Sequence, residues 1–370
     1  MKVEKLLLQN FRNIEEMELL PSPGINVIYG ENAQGKTNLL EGIWLFTGLR
    51  PFRGAKDKEM IRFGTKEARL FMEYFNDSRE QNAEIRIGNT RRAEIGKIPC
   101  KSSTEMVGNF LASVFLPENL DLIQEGPSER RRFINQALCQ LKPKYSENLS
   151  NFNRILLQRN TLLKDLSKHS ELEDTLYVWD EKLAEISASI ILEREKYIKR
   201  IAPYINDFYN GISGGREEMK IEYEPSLKLE GKTVSEIKEE IFRSLSLKRK
   251  DDIYAGYTTV GPHRDDIGIF LNNIPVKTFG SQGQQRSCAL SLKMSEAAMI
   301  KEISGKQPVI LLDDVMSELD SGRQNYILNH IENWQVFITC CEPNSIFYSK
   351  NSDTVGKMIE IREGRICSST

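Results

Sequence analysis

Short apolar or alternating runs open the chain, and turn-forming Pro21, Pro23 and Gly24 interrupt them. Runs of this kind, bounded by proline and glycine, are typical of β-strands. They predict strands at Val3–Leu8, Ile14–Leu19, Ile25–Tyr29, Ala68–Phe75, Ala83–Ile87 and Leu111–Leu116. After Gly35 the apolar residues recur instead at helical spacing, and Gly48 is placed to end that helix. Strand, glycine-rich turn and helix in this order indicate an α/β domain.

The middle of the chain has a different pattern. From Tyr145 to Phe208 there is almost no glycine, and the only proline is Pro203. Apolar residues follow three-then-four spacing on both sides of a polar break at His169–Asp174. The pattern predicts two antiparallel helices with a coiled-coil-like seam, the first about 35 Å long. Two core helices of a globular subdomain and a protruding arm fit the pattern equally well.

The α/β pattern returns towards the C-terminus. Strands are expected at Met219–Tyr223, Ile267–Leu271, Val309–Leu312 and Val336–Thr339, with helices at Gln282–Ile303 and Arg323–Ile331. The simplest interpretation is one α/β core split by a mainly helical insertion. We therefore predict three parts: residues 1–125, a helical lobe at 126–250, and a C-terminal part of the core at 251–370.

The amino-acid composition restricts the class of protein and the compartment that fit the sequence. The chain has 370 residues, 39% of them hydrophobic, and 51 basic against 53 acidic residues give a net charge of −2. These values are ordinary for a folded protein without membrane spans, and no secretory leader is recognisable. The six cysteines have no metal-ligand spacing, which argues against structural zinc and favours a reducing cytoplasm.

One glycine-rich segment carries recognisable chemistry. Gly30-Glu31-Asn32-Ala33-Gln34-Gly35-Lys36-Thr37 matches the pattern GxxxxGK[ST] between a predicted strand and a predicted helix. The glycines let backbone N–H groups surround phosphate, Lys36 adds a charge near the β- and γ-phosphates, and Thr37 is suited to ligate Mg²⁺. The segment from Gly30 through Asn38 is therefore predicted to bind ATP.

A pair of carboxylates follows the strand at Val309–Leu312. Asp313 is expected to hold Mg²⁺ through its water shell, and Asp314 to act as the general base on the attacking water. Asp313 and Thr37 are thus the predicted metal site, and Asp314 and Lys36 the predicted catalytic residues.

A second anion-binding surface is predicted where the helix at Gln282–Ile303 begins. Ser281, Gly283 and Gln284 combine a hydroxyl, a residue without Cβ and free N–H groups. One nucleotide does not need two phosphate-binding helix ends in one chain. We infer that this surface contacts the γ-phosphate held by a second copy, the arrangement of ABC-type ATPases, in a two-fold dimer.

Taken together, these motifs resemble the RecF family of bacterial recombination-repair ATPases, relatives of the SMC proteins, along essentially the whole chain. The matching stretches are Asn10–Asn13, Gly30–Asn38, Pro117–Leu120, Gly126-Pro127 with Arg130-Arg131, Thr259–Asp266, Ser281–Arg286 and Leu311–Asp320. The resemblance implies an ABC-type head with a short helical arm, ATP-dependent dimerisation, binding of double- and single-stranded DNA near gaps, and a cytoplasmic, nucleoid-associated protein. It also implies cooperation with RecR and RecO in loading RecA at gaps and stalled forks during the SOS response.

The resemblance assigns further residues. It implies that Arg12 contacts phosphate and that Asn13 lies near the base. Asp314 stands where related heads have glutamate, and Cys340 and Cys341 stand where many ABC ATPases have a switch histidine. Both substitutions imply slow hydrolysis, as in a timer or clamp.

Several basic clusters are candidates for DNA contacts without sequence specificity. We predict that Arg50, Arg53 and Lys56 contribute, because they follow the phosphate-loop helix. Arg130–Arg132 and His263-Arg264 are expected to form internal pairs near Asp265 and Asp266 instead.

Three alternative functions fit the sequence less well than this prediction. An SMC-like chromosome organiser would need a longer arm than residues 126–250 provide. A transporter nucleotide-binding subunit fits poorly with the helical insertion and with the segment after Asp313. A small-molecule kinase leaves Ser281–Arg286 unexplained.

Overall fold

The computed structural model describes residues 1–76, 79–166, 169–227, 233–331, 333–342 and 355–369. The strands are β1 (Lys2–Phe11), β2 (Ile14–Leu19), β3 (Ile25–Tyr29), β4 (Ala68–Asn76), β5 (Arg79–Ile87), β6 (Arg91–Ile95), β7 (Ile98–Pro99), β8 (Ala112–Phe115), β9 (Met219–Glu224), β10 (Asp266–Leu271), β11 (Ile274–Pro275), β12 (Val309–Leu312), β13 (Val336–Cys340), β14 (Val355–Arg362) and β15 (Arg365–Ser369). The helices are α1 (Lys36–Leu45), α2 (Pro127–Leu141), α3 (Pro143–Asp165), α4 (Leu176–Ser213), α5 (Val234–Leu247), α6 (Arg249–Ala255), α7 (Val276–Phe279), α8 (Gln282–Ser304) and α9 (Ser321–His330).

The chain divides into two compact units. The head unit contains Met1–Asp121, Tyr204–Glu218 and Gln282–Thr370, and the arm unit contains Leu122–Pro203 and Met219–Ser281. This division differs from the predicted three parts in three stretches. Residues 122–125 lie in the arm unit. Residues 251–281 also lie in the arm unit, because β10 pairs with β9. Tyr204–Glu218 lies in the head unit because Phe208 and Ile212 pack on the head core.

Two six-stranded sheets form the head unit. One is antiparallel, in the order β2-β1-β4-β5-β6-β7. The other has the order β15-β14-β3-β13-β12-β8, and its pairs are parallel except β14 with β15. Its central strands β3, β12 and β13 are almost continuously buried, as expected of parallel strands covered on both faces. The carboxyl ends of these strands therefore meet at one edge, where ligands bind in such sheets.

The arm unit contains α2, α3, α5, α6, α7, most of α4, and the small sheet β11-β10-β9. Its helical hairpin confirms the predicted pattern: α3 and α4 are separated by a short 3₁₀ turn at Ser170–Thr175. The first helix has 23 residues, which matches the expected length.

The sequence pattern predicted β2, β3 and β12 at their observed bounds, and α1, α8 and α9 to within a few residues. It did not single out β6, β7, α2, α5, α6, or the C-terminal hairpin of β14 and β15. Several of these elements are short, so their apolar spacing is a weak signal. In α5, however, Ile237, Ile241 and Leu245 recur at helical spacing after a Thr233 cap, a signal that was missed.

Candidate nucleotide site

The glycine-rich loop connects buried β3 to α1, as the motif requires. Gly30 has φ +145° and Gly35 has φ +111°, both in the region that only glycine adopts without strain. A Cβ at Gly30 would lie 2.3 Å from the carbonyl oxygen of Ile361, and one at Gly35 would lie 2.9 Å from Asn13 Oδ1. Both glycines are therefore required by backbone conformation and by close packing.

Lys36 is turned back over its own loop. Its Nζ donates hydrogen bonds to the carbonyl oxygens of Gly30 at 2.6 Å and Glu31 at 2.9 Å, and the residue is 4% exposed. Cys341 Sγ lies 3.9 Å from the same Nζ and 3.2 Å from Asn32 Oδ1. The ammonium group is thus held at the loop, and a thiol stands beside it.

The loop and the Asp313 strand are joined by hydroxyl groups. Thr37 Oγ1 donates to Asp313 Oδ1 at 2.9 Å, and Thr339 Oγ1 donates to the same oxygen at 2.8 Å. Burial raises the pKa of the Asp313 carboxyl above its ordinary value, and the two hydroxyl groups oppose that shift. Sequence reasoning predicted Thr37 and Asp313 but missed Thr339, whose role depends on the pairing of β13 with β12.

Asp314 follows in a left-handed backbone conformation, with φ +50°. Its N–H donates to Thr339 Oγ1 at 2.8 Å. Its side chain lines a cavity of about 100 Å³. The other lining residues are Asn32, Ala33, Gln34, Gly35, Lys36, Thr37, Asn38 and Arg53. The structure therefore brings the predicted catalytic residues together at one cavity.

The three basic residues predicted to contact DNA do not share a location. Arg53 lines this cavity, and its Nη1 donates to Asn38 Oδ1 at 3.2 Å. Arg50 and Lys56 line a different cavity in the head unit. Residues three apart in a loop have no shared face, since a loop has no regular period.

Arg12 and Asn13 lie beside the loop. Asn13 Nδ2 donates to the carbonyl oxygen of Ala33 at 3.3 Å, and Asn38 Nδ2 donates to Asn13 Oδ1 at 2.8 Å. Arg12 is ion-paired with Glu41 of α1 at 2.7 Å, and the Glu41 side chain is fully buried. Sequence reasoning missed Glu41, although a carboxylate on the apolar face of a predicted helix is a usable signal.

The C-terminal hairpin holds the other side of the loop. The N–H of Gly364 donates to the carbonyl oxygen of Gln34 at 2.9 Å, and the N–H of Glu363 donates to Gln34 Oε1 at 2.5 Å. The local sequence around Gln34 does not predict these contacts, because Glu363 and Gly364 lie more than three hundred residues away in the chain.

The residues of the second predicted anion surface lie at the start of α8. Ser281 is exposed and immediately precedes the helix. Gln284 Nε2 donates to Glu217 at 2.6 Å, and Arg323 Nη2 donates to the carbonyl oxygen of Gly283 at 2.8 Å. Among the described residues lining the cavity at Lys36, none comes from this group.

Internal pairing in the arm unit agrees with the prediction for Arg130 and Arg131. Arg130 makes two hydrogen bonds to Asp266, at 2.8 and 2.9 Å, and Arg131 donates to the carbonyl oxygen of Asp265 at 2.6 Å. The prediction is wrong for the other three residues: Arg132 pairs with Glu129, one helical turn away, and His263 and Arg264 lie at the carbonyl oxygen of Thr258. Burial lowers the pKa of His263 to about 4.

No helix in the described part of the chain has both the length and the apolar character needed to cross a membrane.

The fold and the nucleotide site together define the class of protein to which the chain belongs. A mainly parallel sheet carries a phosphate-loop lysine and threonine beside the Asp313–Asp314 pair, and along the chain a mainly helical unit separates the N-terminal from the C-terminal strands of that sheet. This is the arrangement of ABC-type P-loop ATPase heads of the SMC-like kind.

Comparison with known proteins narrows the class to a family. The RecF/RecN/SMC N-terminal domain family matches residues 2–364. The chain is 41% identical to the DNA replication and repair protein RecF of Agathobacter rectalis over 99% of each chain, and 42% identical to that of Acetivibrio thermocellus over 95% of this chain and 96% of the relative. The chain belongs to the RecF family of DNA replication and repair proteins.

Solved structures agree with this assignment. A structure titled as the recombination mediator protein RecF with ATPrS in the RecFOR pathway has a TM-score of 0.90 and 35% identity, covering 98% of this chain and 97% of that one. A structure of RecF with ATP has a TM-score of 0.89 at the same identity, covering 100% and 97%. An Smc head domain from Pyrococcus furiosus matches at TM-score 0.55 and 16% identity, over 100% and 96%, and shows a shared fold.

Proposed function

We propose that this chain is an ATP-gated DNA clamp of recombinational repair, in which nucleotide binding and hydrolysis set how long the protein stays on DNA. The observation that carries the proposal is the 2.9 Å hydrogen bond between Thr37 and Asp313, which joins the phosphate loop to the catalytic carboxylates. Solved relatives at 35% identity are titled as bound to ATP and to an ATP analogue, which supports ATP as the ligand.

The donor set at this junction fits Mg²⁺. Thr37 Oγ1 and Asp313 Oδ1 are hard oxygen atoms within hydrogen-bond distance of each other, at the edge of the loop that surrounds phosphate. These two residues would hold the ion, which supplies charge neutralisation of the triphosphate when bound. Thr339 then orients the Asp313 carboxylate through its hydroxyl group.

The other residues of the site have separate roles in binding and hydrolysing the nucleotide. Backbone N–H groups from Gly30 to Asn38 bind phosphate, and Lys36 adds charge at the β- and γ-phosphates. Asp314 accepts the proton of the attacking water. Its side chain is one methylene shorter than glutamate, and Cys340 and Cys341 replace a charged switch residue, so hydrolysis is slow.

Dimerisation completes the site. Ser281, Gly283 and Gln284 lie at the start of α8 and do not line the cavity at Lys36 of their own chain; in the dimer this helix N-terminus would face a γ-phosphate held by a second copy. The dimer binds double-stranded DNA and single-strand junctions without sequence preference, in the cytoplasm on nucleoid DNA. The RecFOR pathway named for a solved relative supports cooperation with RecR and RecO in loading RecA.

Analytical ultracentrifugation with ATP, ADP and no nucleotide tests the dimer. The wild type dimerises with ATP only, Lys36→Ala remains monomeric in all three conditions, and Asp314→Asn remains dimeric long after ATP is added. A wild-type monomer at saturating ATP and micromolar protein would contradict the proposal.

Binding to gapped and blunt duplexes, with the same three nucleotide conditions at two salt concentrations, tests the DNA clamp. We expect ATP-dependent retention that weakens steeply with salt, because phosphate contacts dominate such binding. Retention that is equal with ATP and without nucleotide would show that the ATPase does not gate DNA binding.

A further inference from the structure

A second cavity in the head unit has no part in the nucleotide site. It measures about 620 Å³, and segments 45–57, 85–93 and 100–106 contribute its walls. Its volume lies within the range of about 300–1,000 Å³ that is typical of small-molecule sites.

The charges around this cavity are unbalanced. Four cationic side chains line it, Arg50, Lys56, Arg91 and Lys101, against the single carboxylate of Asp57. Arg91 pairs with Asp57 at 2.7 Å, so that pair is neutral. The other three cationic groups are exposed, and none has an ion pair with any residue that the structure describes. Three unpaired cations around a concave surface favour an anionic ligand.

The lining of the cavity is both polar and apolar. Leu45, Ile85 and Met106 lie beneath its surface and are almost fully covered, with exposures of 1%, 0% and 2%, and half-buried Ala93 adds a small side chain on β6. A ligand with an apolar part and an adjoining negative charge matches a mixed lining bordered by cations. A nucleotide has this chemistry: the base provides the apolar part, and the phosphate provides the charge.

Hydrogen bonds hold the walls of the cavity in place. The indole N–H of Trp44 donates to the carbonyl oxygen of Arg50 at 2.9 Å, which anchors the loop after α1. The N–H of Cys100 donates to the carbonyl oxygen of Ala93 at 2.8 Å, and Arg91 connects to the turn at Asp57. The cavity is therefore formed before a ligand arrives, which lowers the entropic cost of binding.

We propose that this cavity takes one unstacked nucleotide of a single-stranded DNA segment, its base against the apolar part of the lining at Ala93 and its phosphate groups on Arg50, Lys56 and Lys101. The inference rests on the proposed DNA-binding function and gives it a site. A base within a duplex is paired and stacked, and cannot enter a cavity without leaving the helix. The cavity therefore gives preference to DNA with unpaired bases, such as a gap, over continuous duplex.

Charge reversals test the phosphate contacts. Fluorescence anisotropy measures binding of labelled single-stranded oligothymidylate and of a blunt duplex to ATP-saturated protein. Lys56→Glu and Lys101→Glu each weaken oligothymidylate binding about tenfold and reduce the salt dependence. Lys58→Glu is the matched control, since Lys58 is exposed on the same turn but does not line the cavity. The charge change is the same, but Lys58 does not line the cavity, so we expect less than about a twofold effect from this control.

A neutral substitution tests entry of the base. Ala93→Trp fills the cavity without changing charge, so it weakens oligothymidylate binding about tenfold and leaves blunt-duplex binding unchanged. ATP-dependent dimerisation and the melting temperature of each variant, compared with the wild type, show that the fold and nucleotide site are intact.

The possible outcomes separate the inference from the function on which it rests. If the wild-type protein bound no DNA in the presence of ATP, the proposed DNA-binding function would be contradicted. If the wild type bound DNA and Ala93→Trp bound it equally well, the role of the cavity would be contradicted while the DNA-binding function stood. The same holds if Lys58→Glu weakened binding as much as Lys56→Glu. Binding of free thymidine monophosphate that Ala93→Trp abolishes, with oligothymidylate binding unchanged, would assign the cavity to a free nucleotide and overturn its role in DNA binding.

Discussion

At the scale of single residues, Thr339 connects Asp313 and Asp314. Its hydroxyl donates to Asp313 Oδ1 and accepts the N–H of Asp314, and the residue is fully buried. Asp314 has φ +50°, a conformation that costs a non-glycine residue roughly 1–2 kcal/mol. The hydrogen bond from its N–H offsets part of that cost and sets the direction of the Asp314 side chain.

Thr339→Val keeps the shape of the side chain and removes the hydroxyl. The buried Asp313 carboxylate loses a donor and the Asp314 N–H loses its acceptor, so we expect destabilisation of about 1–3 kcal/mol. We also expect ATP hydrolysis to fall about tenfold or more, with ATP affinity within about threefold of wild type. Phosphate release and nucleotide titration measure these effects. Thr339→Ser, which retains the hydroxyl, is the control, and equal activity of Val and Ser variants would contradict this role.

His263 makes the stability of the protein depend on pH. Burial lowers its pKa to about 4 in the folded chain, against an ordinary value of 6.5, and its Nε2 lies 3.0 Å from the carbonyl oxygen of Thr258. The unfolded chain therefore binds more protons between these two pKa values. The contribution of neutral His263 is fully present above about pH 6.5 and is lost as the pH falls towards 4.

Substitution of this histidine removes that dependence. Between about pH 7.5 and about pH 5, the wild type is expected to lose about 2 kcal/mol more unfolding free energy than His263→Gln. Urea denaturation at the two pH values measures the difference. The same pH dependence in both proteins would show that other groups, such as Asp265 and Asp266, account for it.

At the scale of elements, one buried arginine joins three helices of the arm unit. Arg159 of α3 donates to Asp180 of α4 at 2.8 Å and to Asp252 of α6 at 2.7 Å, and all three side chains are fully buried. Thr258 accepts a further hydrogen bond at 2.9 Å. The cation is therefore shared between two carboxylates that have no access to water, which fixes how these helices pack.

Arg159→Met leaves the buried Asp252 carboxylate without a cation, whereas Asp180 keeps its ion pair with Arg249 at 2.9 Å. We expect a loss of about 3–5 kcal/mol in unfolding free energy, because an uncompensated buried charge costs more than the ion pair contributes. Thermal and urea denaturation measure the loss. Arg154→Met on the same helix is exposed and is expected to cost less than about 0.5 kcal/mol. Similar losses in both variants would contradict a special role for the buried cation.

At the scale of the whole molecule, the proposed dimer makes each nucleotide site a product of two chains. The phosphate loop and Asp314 come from one copy, and Ser281 with the start of α8 from the other. Two variants that are each inactive can then complement each other, since a mixed dimer contains one site with both halves intact.

Mixing Lys36→Ala with Ser281→Arg tests this arrangement. Each variant alone is expected to hydrolyse ATP at background level. An equimolar mixture is expected to hydrolyse ATP well above either variant alone, because the Lys36→Ala chain still supplies an intact Ser281 to the nucleotide held by the other chain, so each mixed dimer has one intact site of two. Steady-state phosphate release measures the recovery. Lys36→Ala mixed with Asp314→Asn is the control, since both defects lie in the same half. Recovery in the control, or none in the test mixture, would contradict a shared site.

The sequence alone predicted three features of the protein: the phosphate loop, the Asp313–Asp314 pair and the helical hairpin. Each is a local property: a spacing of glycines, a run of apolar residues before two acids, or a helical period. The strand bounds of β3 and β12 followed for the same reason.

Only the tertiary structure decided which distant residues meet. Thr339 reaches Asp313 because β13 pairs with β12, and Gln34 meets the C-terminal hairpin because β14 pairs with β3. The same holds for Arg53 and Lys56, neighbours in one loop that line different cavities. A residue's direction in a loop, and the register between strands far apart in sequence, depend on packing of the whole head unit, and no local pattern encodes them.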